Sequence, residues 1–359
     1  MATASVKILI LGASYGLLPG VKLALAGHAV TFVGQPDEVA AMSLNPLEVR
    51  LSLRRGGGDV TLRVPISHEP ARGFAALRTP DQIDPADYQF VILAMQEPQF
   101  KAPAIADLMG RIAASGRPCL SIMNLPPRAY LERLGSIAPP AYQGVYSSEA
   151  VWQGLDPRKI SLTSPDAQAV RIDPAQPGQL TVTLASNFKA APFAEAEDQA
   201  LLERLAKDMS NIKVEAEGGL QRVPVLLLAQ RSLFAPLAKW PMLLTGNCRC
   251  FSPDGVRSIG ETVLSDRAAS AAIYAQVTAL LLTMGADERS LVDFASYAKA
   301  AEGLTRPSSL ARALASGAKA VERIDRLVLN LLRLHGIASP EIEAIVATIE
   351  RQLAVNNGG

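Results

Sequence analysis

Apolar runs alternate with amphipathic stretches along the first half of the chain. An apolar run at 6–11 ends at Gly12, an amphipathic stretch follows, and a β-branched run covers 29–34. This order predicts a strand, a tight turn, a helix and a second strand. Further strands are predicted at 48–53, 60–65, 89–94, 118–122, 143–146, 169–173, 179–184 and 212–216, and helices at 17–26, 37–43, 99–114, 126–134 and 195–208. Strands that alternate with helices predict a parallel sheet covered on both faces.

Two segments depart from this alternation. Residues 47–66 place Gly56-Gly57-Gly58 between two β-rich runs, which predicts a hairpin. Residues 137–185 are interrupted by several prolines. We expect short antiparallel strands there that close the sheet.

The pattern changes near Gly218-Gly219, after which nearly every segment has a helical period and none has a strand pattern. Helices are predicted at 220–237, 261–284, 288–300, 307–316, 318–334 and 340–355. The expected fold class is therefore α/β. A Rossmann-type parallel-sheet domain would occupy 1–217, and an all-α domain would occupy 218–359.

The first turn carries the clearest chemical signal. Gly12, Ser14, Tyr15 and Gly16 stand between a predicted buried strand and a helix. Backbone N–H groups and the positive end of the helix would face a diphosphate there. Gly12 would supply the turn, and Gly16 the close contact between helix and strand. The spacing is one residue shorter than G-x-G-x-x-G, so a plain βαβ unit without a nucleotide is the alternative.

Composition and charge narrow the class of protein. The 359 residues suggest roughly two domains, and a net charge of +1 gives no broad attraction to nucleic acid or to an anionic membrane. No apolar stretch reaches the ~18 residues of a membrane span, and the first apolar run is too short for a signal peptide. Three cysteines favour a reducing compartment, so we expect a cytoplasmic protein. Cys119 is predicted to be a core residue, and no metal site can be assembled.

Several segments together resemble one reductase family. They are Gly27–Val33, Val91–Gln96, Leu120–Asn124, Gly144–Ala150, Arg306–Arg312 and His335–Glu341. In this order and spacing the chain resembles a divergent member of the ketopantoate reductase (2-dehydropantoate 2-reductase) family. The resemblance implies a helical second domain like the C-terminal domain of 6-phosphogluconate dehydrogenase, and a substrate site between the domains. It also implies reduction of a 2-keto acid by NADPH, with a lysine as the proton donor.

The family's catalytic residues transfer only to some positions. Leu227 stands at the lysine place in one register and Met242 in another, with Lys239 close to the second. Ala320 stands at the family's glutamate place. We therefore expect a substrate other than ketopantoate. The candidate proton donors are Lys239, Tyr146 and Glu149, and a water molecule is the alternative.

The candidate substrate residues are Asn124, Arg231, Ser308 and Arg312. Ser308 and Asn124 match family residues. Arg231 and Arg312 could grip a substrate carboxylate, or could be ordinary surface arginines.

The candidate cofactor residues are Gly12, Ser14, Tyr15, Gly16, Gln35, Gln96 and Asn124. Gln35 stands where the family often has an arginine that grips a 2′-phosphate. The choice between NADP and NAD is therefore open, and the family favours NADP.

The sequence thus predicts an NAD(P)H-dependent oxidoreductase that reduces a small 2-keto or imino carboxylate. One alternative is an opine-type dehydrogenase, which acts on an amine and a keto acid. The other is a nucleotide-binding protein without catalysis. Alanine-rich helices, as at 268–279, make a homodimer the expected assembly.

Overall fold

A computed structural model describes residues 4–53, 58–135, 137–163, 169–182, 186–216 and 219–358. The chain divides into two compact units. Unit 1 contains Met1–Met95, Gln99–Arg133 and Ala150–Arg231, and unit 2 contains Gln96–Pro98, Leu134–Glu149 and Ser232–Gly359. Unit 1 therefore continues past 217, where the sequence places the junction, and the chain passes between the units more than once.

The elements are numbered in chain order. The strands are β1 (Lys7–Leu11), β2 (Ala29–Val33), β3 (Leu47–Ser52), β4 (Asp59–Val64), β5 (Ala75–Arg78), β6 (Phe90–Leu93), β7 (Cys119–Ile122), β8 (Ile160–Thr163), β9 (Ala169–Val170), β10 (Gln179–Val182), β11 (Phe188–Ala190), β12 (Lys213–Ala216), β13 (Gly219–Arg222), β14 (Leu227–Ala229), β15 (Phe251–Ser252) and β16 (Gly255–Val256). The helices are α1 (Ala13–Leu25), α2 (Pro36–Met42), α3 (Pro103–Ser115), α4 (Arg128–Leu131), α5 (Glu149–Gln153), α6 (Ala196–Ser210), α7 (Trp240–Thr245), α8 (Ile259–Leu264), α9 (Arg267–Thr283), α10 (Phe294–Ala301), α11 (Ser309–Ala315), α12 (Ile324–Leu334) and α13 (Pro340–Asn356).

Unit 1 is built on a six-stranded parallel sheet. Its strand order is β5-β2-β1-β6-β7-β8, and every neighbouring pair runs parallel. Its strands are mostly apolar, and all their residues except Lys7 and Arg78 are buried, as expected where a sheet is covered on both faces. The strand order reverses between β1 and β6. The carboxyl ends of these two strands therefore form the topological switch point, where α/β sheets bind ligands.

A second sheet has the order β4-β3-β10-β9. The antiparallel pairing of β3 with β4, from Leu47↔Val64 to Ser52↔Asp59, confirms the predicted hairpin. Gly56 and Gly57 lie outside the described residues. The expectation for 137–185 was partly wrong, because β8 joins the main sheet in parallel with β7. No strand forms at 143–146, which follows a 3₁₀ helix at Pro139–Tyr142.

The predicted helix at 220–237 is wrong. This stretch contains β13, which pairs antiparallel with β12, and β14, which pairs parallel with β11. Between them Pro224 has no N–H for a helical hydrogen bond. Val225 adopts φ 63°, the only positive φ of a non-glycine among the described residues. Apolar side chains of this stretch, Val223, Val225 and Leu227, are buried in the core of unit 1, so tertiary packing decides its conformation.

Helices dominate unit 2, as predicted. Asp266 divides the predicted helix at 261–284, because its carboxylate caps α9 by accepting from the Ala269 N–H at 3.0 Å. Helix α12 begins at Ile324, later than the predicted 318. The β15–β16 hairpin departs from the all-helical expectation. Among the described residues, no helix has the length and apolar character that a bilayer span requires.

Candidate functional site

The turn after β1 accepts only glycine at its first position. Gly12 has φ +94°, and a Cβ there would lie 2.4 Å from Met95 Cγ and 2.5 Å from the carbonyl oxygen of Ala94. Ala94 and Met95 directly follow β6. The two chain segments at the switch point therefore approach each other across a bare glycine backbone.

Glycines also set the distance between α1 and the sheet. A Cβ at Gly16 would lie 2.4 Å from Ile10 Cγ2, which confirms the predicted close contact. Gly20 has the same effect in the next turn of the helix, since a Cβ there would lie 2.3 Å from Phe32 Cζ. The two glycines let α1 lie directly on β1 and β2.

The start of α1 has the form of an anion site. The helix begins immediately after Gly12, and among the described residues no side chain caps it. The N–H of Gly16 bonds to the carbonyl oxygen of Gly12 at 3.2 Å, which closes the first turn. The positive end of a 13-residue helix thus lies at the switch point beside the bare backbone of Gly12. This geometry fits a cofactor diphosphate.

The other predicted cofactor residues of unit 1 follow strands of the same sheet. Gln35 is exposed at the start of α2, just after β2, and Asn124 is half-buried just after β7. Parallel strands end at one edge of a sheet, so these positions share an edge with Gly12. Tyr15 is half-buried and packs against the core of unit 1.

Sequence reasoning missed Arg78, which ends β5. It pairs in register with Val33 of β2, and its carbonyl oxygen accepts from the Gly34 N–H at 3.1 Å. Its half-buried guanidinium donates to the carbonyl oxygens of Leu77 and His68. A cation therefore lies beside the end of β2. It was missed because β5 was not predicted.

A buried lysine of unit 1 lies along the same helix. Lys22 of α1 has no exposed surface, and its Nζ donates to the carbonyl oxygens of Val223, Pro224 and Val225. Burial lowers the pKa of Lys22 to about 7. Because the ammonium is enclosed by backbone, we assign it to structure and not to proton transfer.

Unit 2 holds the predicted residues Gln96, Tyr146, Glu149, Lys239, Ser308 and Arg312. The structure brings the first three near one group that was missed, Glu97. Its carboxylate is fully buried and accepts from the backbone N–H groups of Ser147 at 3.1 Å and Ser148 at 2.8 Å. Tyr146 and Glu149 flank these serines. The signal that could have found Glu97 is a carboxylate placed shortly after the switch-point strand.

The remaining predicted residues are placed apart from that cluster or differently from expectation. The Ser308 hydroxyl caps α11 by accepting from the Ala311 N–H at 3.1 Å, and donates to the Asn247 carbonyl oxygen at 2.7 Å. Arg312 is exposed on α11. Lys239 is half-buried at the end of a 3₁₀ helix, Leu237–Lys239. Arg231 is exposed after β14 and not on the predicted helix, so the helical register that aligned it does not hold.

Comparison with known proteins identifies the fold. No family model matches the chain, and no curated protein matches it in sequence. Among solved structures, a PanE/ApbA family ketopantoate reductase from Ralstonia eutropha JMP134 is 17% identical, with a TM-score of 0.64 over 98% of this chain and 99% of that one. The chain has the ketopantoate reductase fold.

Two further structures with this fold cover 98% of this chain and 99% of their own. D-mandelate dehydrogenase, solved with NADH and anilino(oxo)acetate, is 16% identical with a TM-score of 0.63. A dimeric ketopantoate reductase from Staphylococcus aureus is 10% identical with a TM-score of 0.61. The predicted α/β class and the resemblance seen in the sequence are therefore confirmed at the level of fold.

Proposed function

We propose that this protein is an NAD(P)H-dependent oxidoreductase that reduces a small 2-keto or imino carboxylate. The observation that carries the proposal is the Gly12 turn. A bare backbone and an uncapped helix start lie together at the switch point of a parallel sheet, within the part of the chain that the structure describes. The solved D-mandelate dehydrogenase with the same fold holds NADH, which supports a nicotinamide cofactor.

Gly12, Ser14, Tyr15 and Gly16 would hold the diphosphate through backbone N–H groups, and Gln35, Gln96 and Asn124 would contact the rest of the cofactor. Bound NAD(P)H supplies the hydride. We propose NADPH as the preferred form. Gln35 carries no charge, but the Arg78 guanidinium lies on the neighbouring strand end, and an arginine near the ribose can accommodate a 2′-phosphate.

The substrate and proton-donor assignments follow from the charge and hydrogen-bonding capacity of each side chain. Arg231 and Arg312 are cations suited to a substrate carboxylate, with Asn124 and Ser308 as further polar groups. Tyr146, Glu149 and Lys239 are the candidates that deliver a proton to the reduced oxygen or nitrogen. We propose a substrate other than ketopantoate, a cytoplasmic location and a homodimer like the dimeric reductase of Staphylococcus aureus.

Titration of the protein with NADPH and with NADH by calorimetry tests the cofactor. We expect micromolar binding of at least one nucleotide. Gly12→Ala should abolish it, because the added methyl displaces Met95 or Ala94. Gly110→Ala, whose Cβ meets nothing within 4 Å, is the matched control and should bind normally. If neither nucleotide binds below millimolar concentration, the proposal is wrong.

A panel of 2-keto acids, each with and without amines, then tests the reaction. Oxidation of NAD(P)H with a keto acid alone supports the proposal. Oxidation only when an amine is present identifies an opine-type dehydrogenase. Nucleotide binding with no turnover of any pair identifies a binding protein without catalysis.

The cofactor preference is tested by the ratio of the two dissociation constants. Arg78→Met should weaken NADPH binding about tenfold or more and leave NADH binding within about twofold, because only the 2′-phosphate needs the cation. Arg63→Met, at an exposed arginine of β4, is the control and should change neither constant. Equal loss of both nucleotides in Arg78→Met would instead assign Arg78 to the fold alone.

A further inference from the structure

Glu97 is a fully buried carboxylate saturated with donors. Its Oε2 accepts from the Ser147 N–H at 3.1 Å and from the Ser147 hydroxyl at 2.7 Å. Its Oε1 accepts from the Ser148 N–H at 2.8 Å and from the Ser148 hydroxyl. The carboxylate therefore binds backbone and side chain of two consecutive residues. Hydrogen bonds to a charged acceptor are about twice as strong as neutral ones.

The backbone of Glu97 is held on its other side. Its N–H lies 3.4 Å from Oε1 of Glu322, a residue that is 7% exposed and stands just before α12. The Ser148 hydroxyl also lies 2.9 Å from the carbonyl oxygen of Glu97. Three separate stretches of unit 2 thus meet at one residue.

The segment before Ser147 is fixed as well. The Asn330 side-chain amide donates to the carbonyl oxygens of Ala141 at 3.0 Å and Gln143 at 3.1 Å. The Tyr146 ring packs on the Tyr142 ring with a centroid distance of 6.2 Å. Glu97 fixes the end of this segment through its hydrogen bonds to Ser147 and Ser148. Without Glu97, the donors of Ser147 and Ser148 lose the acceptor that orients them.

We propose that Glu97 is a positioning residue, which fixes the Ser147–Ser148 backbone so that Tyr146 and Glu149 are held in their reacting geometry. This inference rests on the proposed function, in which Tyr146 and Glu149 are candidate proton donors. The physical reason is that a displacement of about 1 Å at a reacting group costs up to about a hundredfold in rate. A buried carboxylate with four donors limits such displacement better than solvent-exposed loop contacts.

Glu97→Gln tests the proposal, because the amide keeps the size of the carboxylate but turns an acceptor into a donor. We expect kcat for the keto acid found in the panel to fall about tenfold to a hundredfold. We expect KM and the nucleotide dissociation constant to stay within about threefold. Backbone N–H exchange of Ser147 and Ser148 should become faster. Glu302→Gln, at an exposed glutamate of the same unit, is the matched control and should change none of these quantities.

Ser147→Ala and Ser148→Ala provide a second route if Glu97→Gln does not fold. Each removes one hydroxyl donor, and the double substitution should lower kcat more than either alone while KM is kept. Faster exchange of the Ser147 and Ser148 N–H groups with kcat within twofold of wild type overturns the inference. A wild-type protein that oxidises NAD(P)H with no keto acid of the panel, with or without an amine, overturns the proposed function itself, and the two failures are thereby distinguished.

Discussion

The charge of Lys22 is strongly affected by its surroundings. Its ammonium group is enclosed by three consecutive carbonyl oxygens of residues 223–225, one of which belongs to Val225 with its positive φ. Burial lowers the pKa of Lys22 from 10.5 to about 7. Between these values the unfolded chain binds more protons than the folded chain. The free energy of unfolding should therefore rise with pH across this range.

Lys22→Met should remove this contribution to the pH dependence. The contribution of one group is at most about 1.4 kcal/mol per pH unit. Between about pH 7 and about pH 9, wild type should therefore gain roughly 2–3 kcal/mol relative to Lys22→Met. Urea denaturation at the two pH values measures the difference. Lys207→Met, at an exposed lysine of α6, is the control and should follow wild type. Parallel curves for wild type and Lys22→Met would contradict the prediction.

The residues that could be predicted from the sequence are those whose role is local. Gly12 and Gly16 follow from the spacing of a strand, a turn and a helix, and the structure shows the expected turn at Gly12 and the expected close contact at Gly16. The partners of Lys22 lie 201 to 203 residues away in the sequence. Ser147 and Ser148 lie 50 and 51 residues from Glu97. No periodicity connects such groups, so the partners of Lys22 and of Glu97 emerge only from tertiary structure.

At the scale of elements, the central strands and the long helices could be predicted, and the short strands at the sheet edges could not. β1, β2 and β6 are continuous apolar runs, because both faces of a parallel sheet are covered. β5 and β8, at the two edges, were missed because neither is a continuous run of large apolar residues, although each has four residues like β6 and β7. At 220–237 the apolar residues fit both a helical and a strand period. Burial of Val223 and Val225 beside Lys22 favours the extended conformation. Arg231 was misplaced for that reason.

Helix α11 offers a prediction about Ser308. Its hydroxyl caps the helix and also donates to the carbonyl oxygen of Asn247, with only 3% of the residue exposed. Ser308→Ala should lower the free energy of unfolding by about 2 kcal/mol, because it removes a cap and leaves a carbonyl without its donor. Ser258→Ala removes a cap of α8 whose hydroxyl also donates to the Glu261 carboxylate in an exposed capping box, and should cost about 1 kcal/mol.

Chemical denaturation of both variants measures these costs. Equal losses in the two variants would contradict the larger cost expected for the buried Ser308. Weaker keto acid binding by folded Ser308→Ala, measured where the variant is fully native, would support the proposed contact with substrate.

At the scale of the whole molecule, alternation of strands and helices followed by helices was enough to predict the fold class. The sheet order and the solved structures with the same fold confirm it. The path of the chain between units could not be predicted. Residues 96–98 and 134–149 belong to unit 2 although unit 1 surrounds them in the sequence. Their membership depends on contacts with α12 and Glu322, which the sequence places far away.

This path predicts how the molecule responds to being cut in two. A fragment of residues 1–231 contains every strand of the main sheet but lacks Asn330 and Glu322. The carbonyl oxygens of Ala141 and Gln143 then lose their donor, and the Glu97 N–H loses its acceptor. We expect a protease to cleave this fragment at peptide bonds within 134–149. The same peptide bonds should be protected when residues 232–359 are co-expressed with the fragment. Mass spectrometry of the digests locates the cleavage sites in both experiments. Protection of 134–149 in the fragment alone would show that this stretch is ordered without its partners in unit 2.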